Sequence, residues 1–145
     1  MRNRHSDFLE YVYRPNVKYN AKVMLPGLFV DNRVGREEYL KSLKKATYSI
    51  VIADIDYNDV GFITMRHYEN AMNGVISFID HKYDRYFTMI SAWDWRRVTS
   101  FVDMMAKIKE LEENPVKKSN ILDFQKTEIL DSYISGKACY DILID

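Results

Sequence analysis

One cysteine, Cys139, stands in 145 residues. No intramolecular disulfide can form, and no zinc site built on paired cysteines. A chain so poor in cysteine suits a reducing compartment, and a cytoplasmic location is expected. Histidine is scarce as well. His5, His67 and His81 are scattered, without an HxxxH or HxH pair, so no bound metal is expected from them. An excess of charge of either sign is also missing, with 21 Lys plus Arg against 21 Asp plus Glu. That balance excludes a basic binder of nucleic acid duplexes, an acidic DNA mimic and a polybasic membrane-surface protein. Long apolar runs are absent. The longest, such as 50–53, fall far short of the roughly 20 residues that cross a bilayer. Residues 1–7 lead into no apolar segment of the kind a secretory leader carries. No internal repeat or low-complexity stretch stands out.

What is present is an ordinary globular composition, 47% hydrophobic and 29% charged, with 11 Tyr supplying most of the aromatic content. The length suits one domain, 1–145, since single cores run to about 100–200 residues. The one candidate linker is 112–119, Glu-Glu-Asn-Pro-Val-Lys-Lys-Ser, charged and interrupted by a helix-stopping Pro115. It reads as a joint between two helices, because too few residues follow it for an independent domain.

Helix-like and strand-like segments alternate along the chain. Residues 7–13 read as a short helix and 22–30 as a strand broken by Pro26-Gly27. Residues 36–46 read as a helix with Tyr39, Leu40, Leu43 and Ala46 on one face. The strongest strand is 48–55, β-branched and apolar on both faces, as in a sheet covered on both sides. Residues 65–73 carry Met65, Tyr68 and Met72 at helical spacing. From there two readings stay open. Either the helix continues to about Asp80, or it ends at Gly74 and 75–79 is a strand. Residues 86–93 read as extended. Residues 96–111 read as a helix with Val98, Phe101, Val102, Met105, Ile108 and Leu111 as its stripe, Asp94 as its cap, and Arg96 and Arg97 on its exposed face. Residues 121–134 form another helix, capped by Ser119 or Asn120, and 138–144 a closing strand. This alternation predicts a small α/β fold, a doubly wound and mostly parallel sheet with helices on both faces. Ligands of such sheets bind outside the carboxyl ends of the strands.

The loop after residue 55 therefore draws the chemistry. It reads Asp54-Ile55-Asp56-Tyr57-Asn58-Asp59-Val60-Gly61, three carboxylates within six residues. A D-x-D at a strand end can hold Mg²⁺, and Asp54 with Asp56 would then serve a phosphotransfer enzyme. A calcium loop is excluded, because Asp59 stands where Gly is needed and Met65 where Glu is needed. The plainest reading is a solvated Asx-rich turn. The cluster Trp93-Asp94-Trp95-Arg96-Arg97 divides in the same way. It is either a partner hot spot, since Trp and Arg are enriched there, or a strand end followed by a capped helix. The tyrosines at 11, 13 and 19 read either as an interface between copies in a homo-oligomer or as a flap over a sheet edge.

The run 50–73, above all Asp59-Val60-Gly61, resembles the nucleoside 2-deoxyribosyltransferases. Their signature is a buried strand, an acidic loop, Asp-x-Gly, and a helix that starts with a nucleophilic Glu and continues through a Tyr. Asp59, Gly61 and Tyr68 fall at matching spacings. Residues 23–29 resemble the family's first strand and its Gly/Phe loop. Glu38 falls near a position where the family carries an Asp. Residues 88–93 resemble a Met-containing segment that reaches the nucleoside, and 133–140 the aromatic, Gly-containing C-terminus. The resemblance implies a doubly wound fold and attack at a nucleoside C1′, breaking or exchanging the N-glycosidic bond without metal or cofactor. The family's nucleophile falls on Met65 in this register, and Glu69 lies one turn later on the same face. The resemblance then implies Asp59, Glu69 and Glu38 as the carboxylates that do the chemistry. It implies Gly61, Tyr57, Tyr68, Met89 and Trp93 as the residues that bind a nucleoside or nucleotide. The competing expectation, from a different class, is a non-enzymatic accessory, inhibitor or immunity-type protein of mobile-element origin. There the Tyr- and Trp-rich surface binds a protein partner.

Overall fold

The computed structural model describes residues 10–11, 35–52, 65–82 and 95–129. They form a small α/β unit. In chain order its elements are α1 (Arg36–Leu43), β1 (Tyr48–Val51), α2 (Met65–Met72), β2 (Ile76–Asp80), β3 (Arg97–Val98), α3 (Phe101–Glu113) and α4 (Pro115–Ile129). The three described strands lie in the order β1-β2-β3, and both pairings are parallel. Tyr48 stands opposite Ile76 and Val51 opposite Ile79, while Ile79 and Asp80 pair with Arg97 and Val98. No described helix is long and apolar enough to cross a membrane.

The open choice at 75–79 falls to the strand. Gly74 adopts φ +72°, the left-handed conformation that ends a helix and that a side chain would strain. Every residue of β2 is buried, because the strand is flanked on both edges and covered on both faces. The most deeply buried strand is thus β2 and not β1, whose first three residues are half-buried.

Alternation along β2 sorts the helices onto the two faces. Ile76 and Phe78 point to one side, where they join Val98, Met104, Leu111 and Tyr11 in the apolar core, with Tyr48, Ile50, Trp95, Ile108, Ile121 and Leu122 packed around them. This side belongs to α3 and the first half of α4. Ser77 points to the other side and accepts a hydrogen bond from Asn70 Nδ2 at 2.8 Å, which seats α2 there. Helix α1 extends that layer, since Tyr39 reaches Glu69 of α2.

Three expectations change at the C-terminal half. Residues 96–98 are not the start of a helix. Arg97 and Val98 pair with β2, and α3 begins at Phe101 with Ser100, not Asp94, as its cap: Ser100 Oγ accepts from Asp103 N at 3.1 Å. The buried stripe of α3 accordingly runs through Met104 and Leu111, and Val102 is 74% exposed. The expected linker 112–119 shrinks to Asn114. Pro115 opens α4, where its missing N–H costs nothing, and Asn114 Oδ1 accepts from Lys117 N at 2.9 Å. The helix expected at 121–134 thus begins six residues earlier than its spacing suggested. Third, Arg96 lies on no exposed helix face; it is buried. The strands expected at 22–30, 86–93 and 138–144 lie outside the described residues, as do most of the helix at 7–13 and the end of the strand at 48–55.

Strand β3 is too short to cover the whole edge of β2. At Val75 and Ser77 a side chain takes the place of a strand. Gln125 of α4 accepts from Ser77 N at 2.9 Å and donates through Nε2 to Val75 O at 2.7 Å. Gln125 has no solvent exposure, so both backbone groups would otherwise be orphaned in the interior. Replacement by Leu should lower the stability by about 2–4 kcal/mol, since each buried unpaired group costs roughly 1–3. Gln125→Glu, which keeps the acceptor and loses the donor, should fall between in urea unfolding. An unchanged midpoint in the Leu variant would mean that the edge is satisfied another way.

Candidate functional site

The carboxyl ends of the parallel strands hold two polar groupings, one for each face of the sheet. On the α3 face the last residue of β2, Asp80, is 6% exposed. Its Oδ2 accepts from the Tyr11 hydroxyl at 2.6 Å and has Lys82 Nζ 4.0 Å away, while its Oδ1 accepts from Lys82 N at 3.1 Å and lies 3.2 Å from His81 Nδ1. Beside this group Glu10 Oε1 accepts from Phe101 N at 3.1 Å, so residues 10 and 11 are fastened both to the strand end and to the first turn of α3.

The second grouping lies on the α2 side. Because β1 and β2 are parallel, α2 returns against them, and its first turn lies at the sheet's carboxyl end. His67 is in that turn. It is 2% exposed, and neither ring nitrogen has a hydrogen-bond partner among the described residues. Glu128, near the end of α4, brings Oε2 to 3.9 Å from His67 Nε2. The same oxygen accepts from Arg96 Nη2 at 2.7 Å. Arg96, 1% exposed, also donates through Nη1 to Gln125 Oε1 at 2.9 Å, and its guanidinium lies over the Phe124 ring at 5.8 Å. The residues run in line: imidazole, carboxylate, guanidinium, amide, backbone of β2. Arg96 is buried and Glu128 only 13% exposed, so the charged bond in the middle of this line is little screened and its loss expensive.

The sequence-derived site residues fall as follows. Glu69 accepts from Arg66 Nη1 at 2.6 Å and from the Tyr39 hydroxyl at 3.2 Å, and Arg66 stacks over the Tyr39 ring at 4.3 Å. Its carboxylate is therefore engaged on the side of α2 that faces α1. Glu38 is exposed on α1. Tyr68 is half-buried, with its ring at 6.0 Å from that of His67, edge to face. Asp59, Gly61, Tyr57, Met89 and Trp93 lie outside the described residues, as do Asp54 and Asp56. Among the described residues no group of three or more His, Cys, Asp or Glu stands close enough to hold a metal ion.

Sequence reasoning gave no site role to His67, Asp80 or Glu128, and it placed Tyr11 in an interface or flap and Arg96 in a hot spot or on an exposed helix face. One signal was available for Asp80: an acid directly closing the apolar run 75–79. The others gain meaning only when the chain brings distant residues together.

The aromatic surface is shared with lysines. Trp95 packs on Phe78 with ring centroids 6.1 Å apart, and Lys117 Nζ lies 4.2 Å from the Trp95 centroid. Lys118 lies over Tyr48 at 5.1 Å and bonds Glu112 at 2.8 Å, and Tyr48 also donates to Glu112. The bond from Lys118, then that from Tyr48, holds the Glu112 carboxyl below its usual value. Burial first, and the bond to Glu112 second, push the Tyr48 phenol up. Tyr39 is raised too, by burial and, against the opposing pull of Arg66, by Glu69.

Two outcomes follow. Tyr11→Phe removes the hydroxyl from a buried carboxylate and should cost about 1.5–3 kcal/mol in chemical denaturation. Phenols raised above the ordinary 10.0 hold the folded state fully below that pH and lose the contribution as pH rises through the folded value. Stability should accordingly fall above pH 10, and the late part of the tyrosine titration followed at 295 nm should include Tyr39 and Tyr48. In the double variant Tyr39→Phe with Tyr48→Phe, both late titrations should be absent.

Comparison with known proteins leaves these side chains to speak for themselves: no family model, curated protein or solved structure matches the chain.

Proposed function

We propose that the protein binds a nucleoside or nucleotide at the carboxyl ends of its parallel strands and cleaves or exchanges the N-glycosidic bond. The observation that carries the reading is the buried carboxylate of Asp80 at the end of the central strand, braced by Tyr11 at 2.6 Å. In open α/β sheets this is where ligands sit, and an acid near a strand end is the usual acceptor for sugar hydroxyls. The bonds from Tyr11 and Lys82 N fix the direction of the Asp80 carboxylate before a ligand arrives. The resemblance of 50–73 to deoxyribosyltransferases supplies the ligand class, and it implies Asp59, in the sequence ahead of α2, as a further carboxylate.

The test is a panel of natural deoxynucleosides, ribonucleosides and their monophosphates, read by melting temperature and then by calorimetry. At least one member should raise the melting temperature of the wild type. Asp80→Asn should weaken its binding about 10- to 100-fold, the range for a lost charge-assisted bond. Release or exchange of the base, followed by chromatography, should be abolished in Asp59→Ala. If no nucleoside or nucleotide binds, the reading fails and the protein-interaction alternative takes its place. Binding without base release would keep the pocket and remove the reaction.

A further inference from the structure

The strand-end carboxylate of Asp80 has a second neighbour, the residue next in the chain. His81 is fixed to the sheet where β2 ends, because its backbone N–H donates to Val98 O of β3 at 2.9 Å. Its ring lies against the carboxylate, with Nδ1 3.2 Å from Asp80 Oδ1. The two side chains differ sharply in burial. That of Asp80 is 8% exposed and that of His81 is 60% exposed.

This pairing has a direction. In an uncharged imidazole one nitrogen carries the proton and the other a lone pair, and the partner of the first decides the state of the second. An ionised carboxylate only accepts, so the nitrogen beside Asp80 is the one that carries the proton. The lone pair is then at Nε2, which has no partner among the described residues. In a ring so exposed, that lone pair is open to a molecule arriving from solvent. The carboxylate behind it is held in its turn. The Tyr11 hydroxyl donates to Oδ2 at 2.6 Å and Lys82 N to Oδ1 at 3.1 Å. A fixed acid that sets the tautomer and orientation of an accessible imidazole is the arrangement a base uses.

Charge narrows what such a base would meet. The groups facing the His81 ring are Asp80 and, beyond it, the Tyr11 hydroxyl and the Lys82 ammonium, which lies 4.0 Å from Asp80 Oδ2. The ammonium offsets the carboxylate, so neither an anion nor a cation is selected. A neutral hydroxyl, on an organic molecule or on water, suits the free lone pair.

We infer that His81 is a general base that takes at Nε2 the proton of a neutral hydroxyl group, with Asp80 as its positioning residue and Tyr11 holding Asp80 in place. In the step the O–H bond breaks, its electron pair stays on oxygen, and the proton moves to Nε2. With water and an ester, the oxygen bonds to the carbonyl carbon and the alkoxide leaves. The proton passes from Nε2 to that alkoxide, which restores the uncharged ring. The inference is independent of the nucleoside reading and stands on the geometry of the strand end alone.

The experiment uses the full chain and two readouts. The first is the tautomer, observed by long-range nitrogen-15 NMR of the histidine rings. His81 in its uncharged form should carry the proton on Nδ1 and leave Nε2 bare, the reverse of the form free histidine prefers. Asp80→Asn, which offers a donor as well as an acceptor, should shift the ring toward the Nε2–H form, a change that a merely structural role of Asp80 would not produce. The second readout is hydrolysis of a small neutral ester, ethyl dichloroacetate. His81→Gln, an exposed replacement that keeps the backbone bond to Val98, should lose the protein-dependent rate about 10²-fold, the usual worth of a general base. The wild-type rate should fall in D₂O, and the limb that rises with pH should vanish in His81→Gln. A wild-type ring protonated at Nε2, or equal hydrolysis by wild type and His81→Gln, would overturn the inference. A His81-dependent rate that does not slow in D₂O would overturn the general-base step in favour of direct attack by Nε2. An unmoved tautomer in Asp80→Asn would remove Asp80 from its positioning role.

Discussion

The structure turns on one side-chain amide. Strand β2 is buried over its whole length, yet β3 covers only its last two residues. A parallel strand so placed leaves an N–H at Ser77 and a C=O at Val75 without a ladder, and the interior offers no water to replace it. Gln125 carries one acceptor and one donor at the separation of those two groups, and it fills the gap. The same Oε1 takes Arg96 Nη1 as a second donor. Helix α4 is thereby fixed in rotation and in height against the sheet. Apolar packing alone would not fix it so closely, because hydrophobic contact is non-directional. One turn further along α4, Glu128 is delivered to Arg96 and to His67. The polar line on the α2 side thus begins as a solution to a hydrogen-bonding problem in the sheet.

The other face meets the carboxyl end differently. Asp80 shares its face with Ile76 and Phe78, and burying its carboxylate there would be costly if it were alone. Tyr11 and the turn at Lys82 remove that cost with directed donors. Glu10, next in the chain, ties the same short segment to the amide of Phe101. The overall charge balance of the chain, 21 against 21, hides this division. On the α2 side an acid and a base, Glu128 and Arg96, pair across elements, while on the other face Asp80 and Glu10 accept from a phenol and backbone amides, and each of these contacts holds a segment in place.

Much of the architecture was legible. The alternation of segments predicted a parallel sheet with helices on both faces, and the sheet and its two helical layers are there. Gly74 was the one residue able to decide between helix and strand at 75–79, and its positive φ decided it. What was not legible has a common cause. Arg96, Arg97 and Val98 fit a helical stripe as well as a two-residue strand, because periodicity has no meaning over two residues. Pro115 was taken as an interruption, although the first position of a helix is where proline fits best. The stretch 54–61, to which the sequence pointed for chemistry, lies outside the described residues. Tyr11, His67, Arg96 and Glu128 are spread over 117 positions of the chain, and no local pattern joins them. Glu69 was chosen for being a carboxylate at helical spacing. Its engagement by Arg66 and Tyr39 depends on α1, which spacing on α2 does not reveal.

That engagement divides the polar side chains of α2 between two neighbours. The helix carries two ionisable groups two residues apart, and helical geometry sends them to opposite sides. On the α1 side stands a carboxylate whose oxygen already accepts two hydrogen bonds, 34% exposed and held against a guanidinium. On the inner side stands the buried imidazole of His67, without a hydrogen-bond partner among the described residues and 3.9 Å from an acid that Arg96 holds still. One short helix thus serves two polar groupings, because residues two positions apart face opposite neighbours: Glu69 is drawn to α1 by Arg66 and Tyr39, while His67 is packed against α4.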